Sequence, residues 1–324
     1  MALLEIHDLE TVFALDHMRA AAVRGVSLSV DAGETVGLVG ESGSGKSITA
    51  LSVMRLLPPN GRIVRGAIQF AGTDLLALSQ KQMRAIRGKR IGMVFQDSMS
   101  SLNPVLTVGR QITESIEAHS SATRREALAR AHDLLEEVGV PEPERRLGQF
   151  PHQLSGGLRQ RVAVAVALAP GPQVLIADEP TTALDVTIQA QLLDLLVHEQ
   201  RSRNMGLILI THDLGVVARM ADRIAVMYAG RIVEHGTAER IFHAPRHPYT
   251  LGLLRAVPRI TGPVQDRLSS IPGAPPLISE QTPGCRFRPR CGFALPRCVA
   301  EDPPLEASEH GHTVACWADV RAAV

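Results

Sequence analysis

Hydrophobic positions along the chain follow two patterns, one that alternates and one that is uninterrupted. In Val26–Val30, apolar and small polar residues alternate, which predicts a half-buried antiparallel strand. The runs Thr35–Val39, Val174–Ala177 and Leu207–Ile210 are apolar throughout, and such runs are typical of parallel strands buried on both faces. The two patterns together predict a buried parallel sheet and a separate antiparallel part.

Helical patterns lie between the apolar runs. The segment Thr123–Val138 opens with a threonine followed three positions later by Glu126, the spacing of a capping box, and Gly139 follows as a stop. Ser47–Leu57 and Ile188–Glu199 are further helical segments. Because strands and helices alternate, the sequence predicts an α/β fold with a mainly parallel core sheet.

The composition of the chain changes near residue 260. From about Pro258 onward, Pro and Gly become frequent and the apolar periodicity fades. We therefore predict a large domain over residues 1–260 and a Cys-rich extension over residues 261–324. All four cysteines of the chain lie in this extension: Cys285, Cys291, Cys298 and Cys316.

Composition and charge narrow the class of protein. Hydrophobic residues make up 45% of the 324 residues and aromatics only 3%, so the core must be aliphatic. The net charge of +1 lacks the strongly basic signature of a nucleic-acid-binding domain. The acidic start of the chain is not that of a secretory signal. No apolar run approaches the roughly 18 residues needed to cross a bilayer, so any membrane role is expected to come through partners.

A phosphate-binding loop follows the first uninterrupted run. Gly40–Ser47 fits the pattern G-x-x-x-x-G-K-S and lies between a predicted strand and a predicted helix. Glycines let the backbone N–H groups turn toward phosphate, and the helix N-terminus adds a favourable dipole. Lys46 is expected to reach the outer phosphates of a nucleotide, and the Ser47 hydroxyl to bind Mg²⁺. The predicted ATP-binding residues of the loop are Gly40, Ser42, Gly43, Gly45, Lys46 and Ser47.

Polar side chains follow the other two apolar runs. Asp178 ends one run at the position where a carboxylate holds Mg²⁺ through water. Glu179 comes next and is expected to orient or deprotonate the attacking water. His212 follows the third run. Because ligands bind at the carboxyl ends of parallel strands, these groups are predicted to share one edge with the phosphate-binding loop.

A further pattern indicates a family. The segment Leu154–Arg161 resembles the LSGGQ signature of ABC ATPases, with Leu158 where glutamine is commonest. Ser155, Gly156 and Gly157 open a helix there, so their N–H groups and the hydroxyl suit a γ-phosphate. The resemblance implies a P-loop NTPase of ABC type, in which two copies face head to tail and sandwich each ATP. It also implies an antiparallel β subdomain and a helical subdomain over about residues 97–160.

The same resemblance assigns roles to other positions. Phe13 resembles the aromatic that stacks on adenine, and Gln96 the glutamine that contacts Mg²⁺ and the attacking water. Asp185 resembles the D-loop aspartate, and His212 the switch histidine that contacts the γ-phosphate. The implied Mg²⁺ ligands are Ser47, Gln96 and Asp178, and the implied catalytic residues are Glu179, His212 and Gln96.

Longer segments resemble the ATPases of oligopeptide and dipeptide importers. They are Gln96–Pro104, in which Ser98 replaces the usual proline, and Ala177–Thr187, Pro245–Thr250 and Pro283–Cys291. The resemblance implies a peripheral protein on the cytoplasmic face of the membrane. Its implied partners are a second, related ATPase subunit, two transmembrane permeases and an extracytoplasmic binding protein, with no nucleic acid.

Several alternatives remain open at this point. Nickel or glutathione importers of the same branch compete with peptide importers. A soluble ABC ATPase acting in DNA repair or translation is a rival, although such proteins usually carry two ABC halves or a long coiled-coil insertion. A nucleotide switch without catalysis is a second rival, and intact Lys46, Asp178, Glu179 and His212 argue against it.

The cysteines suggest a metal site. Their spacing, C-x5-C-x6-C-x17-C, is looser than the close pairs of zinc sites, and structural disulfides are rare in the cytosol. The alternatives are a [4Fe–4S] cluster, Zn²⁺, or free and redox-active thiols. The resemblance to the peptide-importer branch implies the cluster, with a structural role for a short Pro-rich segment that has little core of its own.

Overall fold

This computed structural model describes residues 2–15, 18–96, 101–182, 184–257, 270–277, 283–307 and 311–321. The chain divides into two compact units. Unit 1 consists of Met1–Leu4, Val30–Glu34 and Thr73–Ile210, and unit 2 of Glu5–Ser29, Thr35–Gly72 and Thr211–Val324. The predicted boundary near residue 260 and the substitution at Ser98 lie outside the described residues, and the predicted domain limits stay predictions.

Strands and helices alternate along most of the chain. The strands are β1 (Leu4–Leu15), β2 (Met18–Val30), β3 (Thr35–Val39), β4 (Gly61–Phe70), β5 (Thr73–Asp74), β6 (Ile91–Val94), β7 (Val174–Asp178), β8 (Gly206–Thr211), β9 (Arg223–Tyr228), β10 (Arg231–Thr237), β11 (Glu306–Ala307) and β12 (Thr313–Val314). The helices are α1 (Lys46–Val53), α2 (Gln80–Ile86), α3 (Val108–Glu117), α4 (Arg124–Glu137), α5 (Pro143–Leu147), α6 (Gly156–Leu168), α7 (Val186–Ser202), α8 (Leu214–Met220), α9 (Ala238–His243) and α10 (Pro248–Ala256).

Unit 1 contains three parallel strands. β6 pairs with β7, with Ile91 opposite Val174, and β7 pairs with β8, with Val174 opposite Gly206. Every residue of the three strands is buried. Burial on both faces explains the uninterrupted apolar runs, since a strand with one face exposed to solvent would alternate apolar and polar residues.

Helices α3 to α6 of unit 1 pack against one another, and α6 extends beyond the predicted helical subdomain of about residues 97–160. In α4, the predicted capping box is present: the Glu126 N–H donates to Thr123 Oγ1, and the Thr123 N–H donates to the Glu126 carboxylate at 2.7 Å. Gly139 ends the segment with φ +68°. Leu134 and Leu135 are buried, whereas Leu128 is 49% exposed. Among the residues described, no helix combines the length and apolarity needed to cross a bilayer.

The sheet of unit 2 is mixed. β3 runs parallel to β9, with Val36 opposite Arg223, whereas β10 runs antiparallel to β9. β12 pairs antiparallel with β10, placing Val314 opposite Glu234, and β11 pairs with β12. In a second sheet, β1 lies between β2 and β4. Part of the predicted Cys-rich extension therefore belongs to the same sheet as β3, which leads into the phosphate-binding loop.

Candidate functional site

The loop after β3 is shaped by its glycines. Gly40, Gly43 and Gly45 have φ values of +157°, +78° and +107°, which L side chains rarely adopt. A Cβ on Gly40 would lie 2.1 Å from the Met227 carbonyl oxygen, and one on Gly45 2.4 Å from the Ala22 carbonyl oxygen. At Gly40 and Gly45, the backbone conformation and the lack of room for a Cβ atom therefore both require glycine.

Lys46 begins α1 and is buried within the loop. Its ammonium Nζ donates to the Gly40 carbonyl at 2.7 Å and to the Glu41 carbonyl at 3.0 Å, while its exposed fraction is 4%. Ser42 and Gly43 at the tip of the loop are exposed. A buried cation beside exposed backbone N–H groups at a helix N-terminus is suited to an anionic ligand.

Glu179 occupies a strained backbone position directly after β7. Its φ of +46° is unusual for a residue with a side chain, and such strain clusters at functional sites. Its N–H donates to the Ile210 carbonyl at 2.9 Å. Gln96 Nε2 donates to Glu179 Oε2 at 3.1 Å, and the Thr182 hydroxyl donates to the same oxygen at 3.0 Å. The carboxylate is thus held in one orientation.

Thr182 was not among the predicted site residues. Its hydroxyl lies on the same carboxylate oxygen as Gln96, so it helps to orient Glu179. A signal was present in the sequence, because a hydroxyl residue three positions after Glu179 can reach back across a turn. Asp178, the predicted Mg²⁺ residue, ends β7 and is 3% exposed.

The predicted signature forms the start of α6. Ser155 is its N-cap, with Oγ accepting from the Leu158 N–H at 3.4 Å. Ser155 and Gly156 are exposed, and a Cβ on Gly156 would meet nothing within 4 Å. A Cβ on Gly157 would instead lie 2.9 Å from Ile188 Cγ2. The helix therefore presents an open N-terminus on one side and packs closely on the other.

Three other predicted residues have distinct surroundings. His212 follows β8 and is exposed. Asp185 is the N-cap of α7, accepting from the Ile188 N–H at 2.9 Å, so its side chain has a structural role. Phe13 is 9% exposed, and a Cβ on Gly61 would lie 2.9 Å from its ring. This packing is that of a core side chain, and the adenine contact of Phe13 stays a prediction.

The predicted residues belong to both units. Unit 1 carries Gln96, the pair Asp178 and Glu179, the signature residues and Asp185, while unit 2 carries Phe13, the phosphate-binding loop and His212. Within unit 1, the Gln96 side chain is hydrogen-bonded to the Glu179 carboxylate. Within unit 2, the Lys46 ammonium is hydrogen-bonded to the Gly40 carbonyl of the phosphate-binding loop.

The four cysteines all lie in unit 2 and form no disulfide. A single Zn²⁺ with bonds of about 2.3 Å would hold its ligand atoms within about 4.6 Å of one another. Among the described residues, the only group of three potential ligands within 4.8 Å is His132, Asp133 and Glu136. The sulfurs therefore do not have the arrangement of a one-ion zinc site.

Backbone N–H groups donate to two of the four sulfurs. The Phe293 N–H donates to Cys291 Sγ and the Ala318 N–H to Cys316 Sγ, both at 3.4 Å. Burial raises the pKa of the Cys316 thiol to about 11, and burial also raises the pKa of Cys285 and Cys291. Donors of this kind favour the thiolate, whereas burial opposes it.

Comparisons with known proteins agree along nearly the whole chain. The family model described as "ABC transporter" matches residues 23–182, and "Oligopeptide/dipeptide transporter, C-terminal region" matches residues 233–298. The oligopeptide transport ATP-binding protein OppD of Bacillus subtilis is 51% identical over 316 residues, which are 97% of this chain and 88% of that protein. The dipeptide transport ATP-binding protein DppD of Escherichia coli is 49% identical, over 98% of this chain and 96% of that protein.

Solved structures show the same likeness. The ATP-binding cassette MJ0796, a dimer in a post-hydrolysis state bound to ADP and Pi, is 27% identical with a TM-score of 0.66. That match covers 72% of this chain and 98% of MJ0796. The structure of cbiO1 from Clostridium perfringens, part of the ABC transporter complex cbiONQ, has a TM-score of 0.64 and 27% identity over 75% of this chain and 91% of cbiO1.

Proposed function

Because this chain belongs to the ABC transporter family, in its branch of oligopeptide and dipeptide transport ATP-binding proteins, we propose that it energises the import of di- or oligopeptides. The observation that carries this proposal is the full-length likeness to OppD and DppD, which includes the C-terminal region. Binding and hydrolysis of ATP follow from the family. The nickel, glutathione and soluble-ATPase alternatives have no comparable support among these relatives.

The site residues divide the work of hydrolysis. The phosphate-binding loop, with Lys46 at its centre, receives the β- and γ-phosphates through N–H groups and one ammonium. Ser47, Gln96 and Asp178 would hold Mg²⁺, which neutralises charge on the phosphate oxygens. Their oxygen donors suit this ion, and the buried carboxylate of Asp178 supplies a matching charge.

Glu179 orients the attacking water and accepts its proton. The hydrogen bonds from Gln96 and Thr182 support this role, because both donate to Oε2 of the Glu179 carboxylate and so fix its orientation. Lys46 and His212 stabilise the negative charge that develops on the transferred phosphoryl group. Charge stabilisation by prepositioned groups is the main source of catalysis in phosphoryl transfer.

A second subunit completes each ATP site in this proposal. Ser155, Gly156 and Gly157 of the neighbour present the open N-terminus of α6 to the γ-phosphate. The exposure of Ser155 and Gly156 supports this role, as does the dimeric structure of MJ0796. The neighbour is a related ATPase or a second copy of this chain.

The remaining partners belong to the membrane complex. Two permeases and an extracytoplasmic binding protein would complete the importer, with this subunit on the cytoplasmic face of the membrane. The packed helices α3 to α5 are the proposed docking element for a permease helix. Closure of the two ATPase subunits on ATP would move the permeases, and hydrolysis would reopen them.

We also propose that the Cys-rich extension binds a [4Fe–4S] cluster through Cys285, Cys291, Cys298 and Cys316. The N–H donors to two of the sulfurs support metal-bound thiolates, and the resemblance to the peptide-importer branch is the ground for proposing a cluster. When bound, such a cluster cross-links a segment that has little core of its own. Anaerobic purification with metal analysis and absorbance in the thiolate-to-iron band tests this. A colourless protein loaded with zinc would contradict it.

The transport proposal is tested in the assembled complex. The subunit is purified from membranes with its permeases, reconstituted into vesicles, and supplied with ATP and the purified binding protein. We expect phosphate release and uptake to rise together with added di- or oligopeptides, and to stay basal with nickel or glutathione. Full-speed hydrolysis by a strictly monomeric subunit, or stimulation by nickel alone, would overturn the proposal.

A further inference from the structure

The C-terminal segment reaches the phosphate-binding loop through Arg290. Its guanidinium donates from Nη1 to Glu41 Oε2 at 2.6 Å and from Nη2 to Glu41 Oε1 at 2.9 Å. The Arg290 side chain is 4% exposed and that of Glu41 is 28% exposed. This is a two-bond arginine–carboxylate pair, the strongest geometry of its kind, between positions 249 residues apart.

Arg290 is itself held in place. Its Nε donates to the Pro272 carbonyl at 2.9 Å, and its guanidinium lies 5.8 Å from the centre of the Tyr228 ring. One N–H and one face of the guanidinium are thus fixed by neighbours other than Glu41. A guanidinium held this way loses little further freedom when it pairs with Glu41.

Glu41 is held from its backbone as well. Its N–H donates to Tyr249 Oη at 2.8 Å, and its carbonyl accepts from Lys46 Nζ at 3.0 Å. Tyr249 is fully buried and packs against Tyr228 and Phe287, with ring centres 4.7 and 5.4 Å away. The N–H, the carbonyl and the carboxylate of one loop residue are therefore each fixed by a different side chain.

Glu41 also poses an electrostatic problem. It places a negative charge in the loop whose N–H groups receive the phosphates of ATP, and like charges repel strongly in a partly buried site. The paired guanidinium of Arg290 neutralises that charge. Without Arg290, the Glu41 carboxylate would lose its ion-pair partner within the loop that receives an anionic ligand.

We infer that Arg290 is a positioning residue of the ATP site, which neutralises Glu41 and holds the phosphate-binding loop in its binding shape. The inference rests on the proposed nucleotide site. It implies that the C-terminal segment around Cys291 contributes to the affinity for ATP, in addition to any structural role. A competing explanation is that the pair only fastens the C-terminal segment to unit 2.

The double variant separates the two explanations. We expect Arg290→Ala to raise the KM and Kd for ATP about tenfold while kcat at saturating ATP stays within about twofold. Glu41→Gln alone should have a small effect. Glu41→Gln combined with Arg290→Ala should recover most of the lost affinity, because the repelling charge is gone. Arg290→Lys, which keeps the charge but not the two-bond geometry, should fall between them.

The measurements use the assembled importer and titration calorimetry with ATP, so that affinity is read independently of turnover. Arg297→Ala is the matched control: Arg297 is an exposed arginine of the same segment that pairs with Glu301. A double variant as weak as Arg290→Ala, or a loss of kcat without a change in KM, would overturn the inference. If the unaltered complex binds ATP but does not respond to peptide, the transport proposal fails and this inference stands.

Discussion

At the scale of single residues, each unit has a predicted site residue with an unusual backbone conformation. Gly40 and Glu179 both have positive φ, one at the start of the phosphate-binding loop and one directly after β7. Such conformations persist only where neighbours fix them, and they are concentrated at functional sites. The Glu179 backbone is therefore strained, whereas glycine at position 40 allows the unusual φ without strain.

Glu179→Gln tests the catalytic assignment. We expect the variant to bind ATP, to accumulate as a closed dimer, and to lose hydrolysis by at least about a hundredfold, because an amide cannot accept the proton of water. Phosphate release and size-exclusion chromatography with ATP measure the two effects. Thr182→Val is the control, since it removes one orienting bond and should reduce the rate far less. Near-normal turnover in Glu179→Gln would refute the role.

Gly40→Ala tests the shape of the loop. The added methyl would lie 2.1 Å from the Met227 carbonyl oxygen, so the loop must shift and ATP binding should be lost. Gly72→Ala is a matched control, because Gly72 has φ +77° and open space around it. That change should lower stability by about 1 kcal/mol and leave ATP affinity unaltered. Equal ATP affinity in the two variants would contradict the steric argument.

At the scale of elements, the N-terminus of α6 combines a cap with a proposed contact to the neighbour's ATP. Ser155 supplies both, because its hydroxyl accepts from the Leu158 N–H and is also exposed. A helix start that is capped by its own side chain and still open to solvent can exchange that bond for one to phosphate.

Ser155→Ala should separate capping from contact with ATP. We expect about 1 kcal/mol lower stability from the lost cap, together with a clear loss of ATPase activity in the assembled complex. Thr237→Ala is the control, since Thr237 caps α9 with a hydrogen bond of the same length, 3.4 Å. It should show the same loss of stability and full activity. Equal activity in the two variants would leave Ser155 with a structural role only.

Most elements of the fold follow from local patterns. The runs that became β3, β7 and β8, and the capping box of α4, depend on neighbouring residues alone and were predicted correctly. Pairing of β12 with β10 was missed, because strands of two and seven residues far apart in sequence leave no periodic signal. The Arg290–Glu41 pair was missed for the same reason, since a long-range ion pair has no local pattern.

At the scale of the whole molecule, buried polar groups connect distant parts of unit 2. Glu234 on β10 is fully buried, and it accepts from the His247 N–H at 3.0 Å and pairs with His312 Nε2 at 2.8 Å. Buried charges of this kind are retained only when they are paired and hydrogen-bonded. The network thus ties α10 and the C-terminal segment to the mixed sheet.

Stability should fall in acid through His247. Burial lowers the pKa of His247 from 6.5 to about 4, and its Nδ1 accepts from the Tyr249 N–H, so the folded state keeps the ring neutral. The unfolded chain then binds the extra proton, and stability present above pH 6.5 is lost as the pH falls toward 4. The loss from this group is about 3 kcal/mol.

Thermal unfolding between pH 7 and pH 4 measures this effect. His247→Gln should flatten part of the acid slope, whereas His7→Gln, which alters an exposed histidine, should leave the slope unchanged. An identical slope in His247→Gln would show that another group titrates.

The pairing of His312 with Glu234 also has a consequence for biosynthesis. Glu234 is synthesised before His312, and the roughly 80 residues between them take about 4–16 s to translate. During that interval a charge destined for the interior lacks one of its partners. Unit 2 also draws on residues from both ends of the chain. Its final closure is therefore a late event, for which a nascent subunit would need protection from aggregation or early proteolysis.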